Sequence, residues 1–281
     1  MGFGKRLCRN RRAARRAAGR TRYAGRPRPS RGPRALARSV KGVAIVIPML
    51  NEAATLPRLA RCLAALDPAP DELIVVDGGS TDASVAVARA AGLTVIAAPR
   101  GRAAQCNAGI AATMSPIVCV LHVDTWLPDD GIDVIRRTLD DERVNLAGFT
   151  AILSGPDKVR WVTSFHNWIK TWYAPLIFRP HLFLRGGRLL FGDHAMFFRR
   201  DAFAAVGGFD ERMTVMEEAD LCVRMARLGR ARLVNRIVLT SDRRVARWGE
   251  WRANWIYLKV GVMWGLNIRP QALGKHYPDV R

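Results

Sequence analysis

Val43-Ala44-Ile45-Val46-Ile47-Pro48-Met49-Leu50-Asn51-Glu52 is the first segment of this 281-residue chain that can enter a hydrophobic core. Its five leading residues are apolar and mostly β-branched, the pattern of a strand buried on both faces, and Pro48 stops the run. Downstream, residues 52–66 place Leu56, Leu59, Leu63 and Leu66 at helical spacing. Glu72-Leu73-Ile74-Val75-Val76 reads as a second buried strand. It runs into Asp77-Gly78-Gly79-Ser80-Thr81-Asp82, a turn in which Asp82 is the expected helix cap. An alanine-rich helix over 82–91, a strand over 93–97 and a helix over 102–113 follow. Ile117-Val118-Cys119-Val120-Leu121 is a further buried strand, ending at His122-Val123-Asp124, and residues 128–140 form a helix. This alternation predicts an α/β domain built on a mostly parallel sheet, with its working loops at the C-terminal strand ends.

The second half is less regular. Strands are expected over 143–153, 189–199 and 231–239. Helices are expected within the aromatic-rich segment 157–178 and over 217–229 and 249–264. No internal repeat is visible.

Composition bounds the function. Hydrophobic residues make up 49% and charged residues 25%, which excludes a wholly disordered chain. The net charge of +21 is unevenly placed. Residues 1–41 hold 15 Lys and Arg and no acid, and the other 240 residues carry 30 basic and 24 acidic side chains. The organisation expected is a disordered Arg/Pro/Gly-rich tail over 1–41, one catalytic domain over 42–250, and an amphipathic helix with a tail over 251–281. The five cysteines show no C-x-x-C spacing, which disfavours a disulfide scaffold or a thiolate zinc site. No apolar run reaches the ~18–20 residues of a spanning helix. The tail has no apolar signal region. A cytoplasmic protein is expected, with contact to the inner face of the membrane left open.

Carboxylates stand at three strand ends: Glu52, Asp77 and Asp124. On a parallel sheet such ends border one crevice, where nucleotide and metal chemistry is commonly done. Asp124 is the candidate ligand for Mg²⁺ or Mn²⁺, which take oxygen donors and bridge to diphosphate. His122, two residues earlier, shares its face in an extended segment and is a candidate second ligand. Glu217-Glu218-Ala219-Asp220 opens a helix, where the dipole stabilises acids and holds them in place for general-base work. Arg100 and Arg102 flank Gly101 and could grip a diphosphate. Asp193 and His194 are expected on the acceptor side, with a buried, satisfied pair as the alternative. The aromatic segment 161–178 and the last helix, with Trp251 and Trp255, pack as core or form an interfacial surface.

The ordered set Ile47–Glu52, Val75–Asp82, Leu121–Asp124, Gly207-Gly208-Phe209-Asp210-Glu211 and Met216–Leu221 resembles the family 2 inverting glycosyltransferases of the GT-A fold. The segment Ala98–Gly109 adds a narrower similarity to selenodomain-associated transferases. The resemblance implies a sugar transferred from a nucleotide-diphosphate sugar to an acceptor hydroxyl with inversion and metal assistance; the interfacial reading of the aromatic helices adds a lipid-linked acceptor as one candidate. It implies that Pro48, Leu50 and Glu52 line the nucleotide pocket, that Asp77 contacts base or ribose, and that Asp124 binds metal. Glu218 falls at the general base and Asp220 is the alternative. Arg100, Arg102 and Arg244 are expected to help neutralise the diphosphate, and Glu217 and Trp248 to lie toward the acceptor. Three positions depart from the family pattern. His122 and Gly78 stand where Asp is usual, and Glu218 is one methylene longer than Asp. The rival reading is a catalytically lapsed domain whose basic tail binds nucleic acid or an anionic membrane. Nucleic acid is the less expected partner.

Overall fold

The computed structural model describes residues 42–268, so the expectations for the two ends of the chain lie outside the described residues. Strands β1 (Val43–Met49), β2 (Glu72–Asp77), β3 (Thr94–Ala97) and β4 (Ile117–Val120) alternate with helices α1 (Leu56–Ala64), α2 (Ser84–Ala90) and α3 (Arg102–Ala111). Then come β5 (Thr125–Trp126), α4 (Gly131–Leu139), β6 (Val144–Ser154), α5 (Trp161–Phe178) and α6 (Pro180–Leu184). The chain continues through β7 (Phe197–Arg199), α7 (Arg200–Ala205), α8 (Glu217–Met225), β8 (Arg230–Ser241), α9 (Arg243–Trp248) and α10 (Glu250–Gly265).

The eight strands among the described residues form one sheet in the order β3-β2-β1-β4-β7-β6-β8-β5. The first four are mutually parallel. β7 runs antiparallel between β4 and β6, β8 returns parallel to β6, and β5 closes the edge antiparallel to β8. The mixed α/β plan with a mostly parallel core is the expected one.

β1 is buried on both faces because successive side chains enter opposite layers. Ile45, Ile47 and Met49 join Leu56, Leu59, Ile132 and Ile135 on one face. Val46 joins Val76, Ala103, Cys106 and Ile110 on the other. α3 lies close on that second face because Gly109 has no side chain. A Cβ there would run into Val46 and stand 2.7 Å from Val76 Cγ2.

One expected strand is corrected. Residues 189–196 are mostly irregular, and only Phe197–Arg199 pairs in the sheet. Gly192-Asp193-His194 instead forms a 3₁₀ turn, in which the Phe191 N–H donates to His194 Nδ1 at 3.1 Å. Asp82 receives the N–H of Ser84 at 2.9 Å and that of Ala53 at 3.2 Å, so it ties the α2 start to the loop after β1. The short elements β5, α6, α7 and α9 had no periodic signal long enough to read.

The β8 ladder decides where the chain's arginines arrive. β8 pairs with β6 from Val144↔Arg230 to Ser154↔Ser241. The Ser241 N–H donates to the Asp124 carbonyl at 2.9 Å, which brings the start of α9 to the end of β4. Replacing Gly109 with Ala is expected to overpack the α3–sheet contact and cost about 1–3 kcal/mol. The check is a urea unfolding curve, in which the midpoint falls with an unchanged slope.

Candidate active site

A cleft crosses the C-terminal edge of the sheet and has two adjoining chambers. The first, about 820 Å³ counting space open to solvent, is bounded by Pro48, Leu50, Glu52, Gln105, Asp124 and Arg243. The second, about 750 Å³, is bounded by His166, Lys170, Phe191, Met216, Glu218 and Val260. Arg102, His122, Asp193, Arg244 and Tyr257 belong to both.

Two guanidinium groups organise the acids. Arg243 donates to both carboxylate oxygens of Glu52, each at 2.9 Å, and to Asp124 Oδ2 at 2.8 Å. Arg102, at the α3 start, reaches Glu217 Oε1 at 3.2 Å and Glu218 Oε1 at 3.3 Å. The His122 Nε2 lies 3.9 Å from Glu218 Oε1. Gly192 makes this approach possible, since a Cβ there would stand 2.7 Å from His122 Nε2 and 2.8 Å from Glu218 Oε1. Met216, which lines the second chamber, holds left-handed backbone at φ +67°, and so does Asn51, next to Glu52, at +54°. Such conformations cost of order 1 kcal/mol each and cluster at functional sites.

The environment separates the acids by charge state. Burial and the neighbouring Glu217 push the Glu218 carboxyl up to about 7, against the pull of Arg102 and Arg244. At Asp124, burial pushes the carboxyl upward, but His122, Arg243 and Arg244 more than offset it and keep it below the usual range. Burial raises Asp193. Burial also lowers the Lys170 ammonium to about 8, despite the nearby Asp193 and Glu218. Its Nζ lies 3.7 Å over the Phe191 ring.

Several expected site residues fall elsewhere. Asp77 spends its carboxylate on the N–H groups of Gly79 and Ser80, at 3.1–3.2 Å, and lines neither chamber. Arg100 is exposed and also lines neither. Asp220 turns away to Arg224 at 2.7 Å and lines neither chamber. His194 is buried outside both chambers, and burial lowers its imidazole to about 3, whereas its neighbour Asp193 lines both. Glu217 is buried behind Glu218. Trp248 packs toward Tyr257 with ring centroids 6.3 Å apart, and Tyr257 reaches the cleft in its place.

Gly78 has a physical reason for departing from Asp. The Gln105 Nε2 donates to the carbonyls of Met49 at 2.7 Å and Val76 at 2.8 Å, tying β1 to β2. A Cβ on residue 78 would stand 2.8 Å from that carboxamide. Sequence reasoning missed Gln105, Lys170 and Tyr257. For Lys170 a signal existed: Thr163, His166, Asn167 and Lys170 form a polar stripe on an otherwise aromatic helix.

Among the described residues no three His, Cys, Asp or Glu side chains gather into a metal cage. A hard cation is also commonly held by one carboxylate with phosphate oxygens. Asp124, kept charged and facing the first chamber, fits that mode.

A mostly parallel sheet with a charged cleft across its C-terminal edge is the plan of the GT-A fold. The chain belongs to glycosyl transferase family 2, whose family model matches residues 44–207. It is 27% identical over 234 residues to a pre-mycofactocin glycosyltransferase of Mycobacterium tuberculosis, covering 81% of this chain and 47% of that one. The chain thus spans about half that relative's length. A PGL/p-HBAD biosynthesis glycosyltransferase of Mycobacterium bovis is 30% identical over 196 residues, covering 64% of this chain and 68% of the relative. Among solved structures, a mannosyltransferase from Pyrobaculum calidifontis in complex with GDP-Man and Mn²⁺ superposes with a TM-score of 0.58 at 19% identity, over 78% of this chain and 62% of that one. Glucosyl-3-phosphoglycerate synthase from M. tuberculosis gives a TM-score of 0.54 at 19% identity, over 82% and 81%.

Because Arg243 occupies Asp124 and Glu52, it competes with any cation entering there. In Arg243→Gln, Mn²⁺ affinity without nucleotide should tighten about tenfold, ~1.4 kcal/mol. Electron paramagnetic resonance of free Mn²⁺ reads this directly. Unchanged affinity would show that the guanidinium is no competitor.

Proposed function

We propose that this protein transfers a sugar from a nucleotide-diphosphate sugar to an acceptor hydroxyl with inversion at the anomeric carbon. The observation that carries the reading is Glu218. It is a carboxylate with a pKa raised to about 7, set in one chamber beside another that is lined by Asp124, Arg243 and Arg244. A base poised near neutral pH is what proton abstraction from a hydroxyl needs. The donor diphosphate lies in the first chamber, where Arg102, Arg243 and Arg244 face it. The acceptor enters the second. Glu218 takes the hydroxyl proton as the oxygen forms its bond to the anomeric carbon. The bond from that carbon to the diphosphate breaks on the opposite face, and the arginines offset the charge left on the phosphate. Mg²⁺ or Mn²⁺, when bound, would rest on Asp124 and phosphate oxygens and add charge stabilisation to the leaving group. The solved relatives complexed with GDP-Man and Mn²⁺ and with UDP-Glc and Mn²⁺ make these donors the first to try. The lapsed-domain reading gains no support from the described residues.

Donor binding is testable without an acceptor. Thermal unfolding is followed with each nucleoside diphosphate, with and without Mn²⁺. One of them at a hundred times its Kd should add about 2.7 kcal/mol of stability. Asp124→Ala should abolish the metal-dependent part of that gain. No shift with any diphosphate would defeat the donor assignment.

On a pair that turns over, Glu218→Gln should lower kcat by roughly 10²–10⁴. Asp220→Asn should stay within a few-fold of the parent. Because Glu218 works only when deprotonated, kcat/KM should climb with pH and level off above about 7. A flat profile through that range would remove Glu218 from the base role.

A further inference from the structure

The outer sides of α5 and α10 carry a feature that chemistry inside the cleft does not use. Trp161, Phe165 and Trp168 recur at i, i+4 and i+7 on α5, and Trp251, Trp255, Leu258 and Val262 extend the same spacing along α10. Trp251 is 83% exposed, Trp161 and Trp255 66%, and Phe165 60%. Aromatic side chains bury about 150–250 Å² each when covered. Exposed aromatics one turn apart on each helix, Trp161 with Phe165 and Trp251 with Trp255, mark a contact surface.

The two helices are packed together. The Asn254 Nδ2 donates to Thr163 Oγ1 at 2.9 Å, Asn254 Oδ1 meets His166 Nδ1 at 2.9 Å, and Arg179 Nη1 donates to the Gly265 carbonyl at 3.1 Å. Their other sides wall the second chamber with Thr163, His166, Lys170, Tyr257 and Val260. Anything docked on the outer sides therefore lies about one helix diameter, ~10–12 Å, from that chamber.

Charge selects the occupant. α5 has no acid and turns its one cation, Lys170, into the second chamber, and α10 holds Arg252 and Lys259 against the single acid Glu250. Glu250 is turned into the seam, 3.4 Å from Thr163 Oγ1, whereas Arg252 and Lys259 are exposed. A second copy using the same face would set cation against cation. An anionic bilayer meets the same face with opposite charge, and Trp beside Lys and Arg suits the headgroup layer. No described helix is long and apolar enough to cross a membrane, so the contact is lateral.

We propose that α5 and α10 dock the protein on an anionic lipid surface, with Trp251, Trp255 and Trp161 at headgroup depth. Given the acceptor role proposed for the second chamber, the acceptor class that follows is a hydroxyl carried on a lipid headgroup. Docking itself does not depend on that role.

The test uses the full chain and Trp251→Ser/Trp255→Ser, whose two positions are exposed and should leave the thermal unfolding curve unchanged. Vesicles of phosphatidylcholine with phosphatidylglycerol are compared with phosphatidylcholine alone in co-sedimentation. Brominated phospholipid reports tryptophan depth by quenching. The parent should bind the anionic vesicles and be quenched. The double variant should lose at least about tenfold in partitioning, ~1.4 kcal/mol, together with most of the quenching. Binding without quenching, or quenching that the substitutions leave unchanged, would overturn the proposal and assign any lipid affinity to the basic segment 1–41. A dimer by sedimentation that the substitutions abolish, with no vesicle binding, would overturn it in favour of self-association. None of these outcomes depends on sugar transfer, so the donor and base assignments stand or fall separately.

Discussion

Four carboxylates crowd the C-terminal edge of this sheet, and two arginines make that possible. Arg243 bridges Glu52 and Asp124, and Arg102 bridges Glu217 and Glu218. A carboxylate taken out of water is costly unless it is paired and hydrogen-bonded. Each guanidinium, planar and always charged, serves two acids at once. Arg102 ties the start of α3 to the start of α8, and Arg243 ties the start of α9 to the ends of β1 and β4. Both pairings place positive charge where a diphosphate would also find it.

The pairing leaves the acids unequal, and that inequality is the chemically useful result. Asp124 stays ionised under the charges of His122, Arg243 and Arg244, while Glu218, buried beside a second carboxylate, is raised toward neutral pH. Two carboxylates whose environments push them apart can take different roles, one on the leaving-group side and one on the proton. Gly192 serves the same end, because only a residue without a side chain lets His122 and Glu218 come together. Gly78 does the equivalent for Gln105 at the β1–β2 junction.

Much of this was legible along the chain. The buried runs of β1, β2 and β4 and the leucine spacing of α1 are strong local signals, and they gave the α/β plan. The acids at Glu52, Asp124 and Glu218 stood out by position. Less visible was how each side chain would be spent. Asp77, Asp220 and His194 have the right chemistry for a site, yet a turn, an i,i+4 arginine and a buried 3₁₀ turn take them up. Lys170 and Tyr257 carry no motif and reach the cleft only because α5 and α10 fold over it.

The sequence by itself determined the layered fold, the strand ends as the working edge and the acid cluster at the head of α8. Hydrophobic period, turn residues and helix-start chemistry act between near neighbours, so they can be read from one segment at a time. Tertiary structure decided which acids share a cation, which one is raised toward neutrality and which residues wall the second chamber. Those outcomes depend on contacts between distant segments: Arg243 meets Glu52 across 191 positions, and Arg102 meets Glu217 across 115. Burial and partner charge at such meetings set a side chain's protonation, and neither exists until the chain has folded.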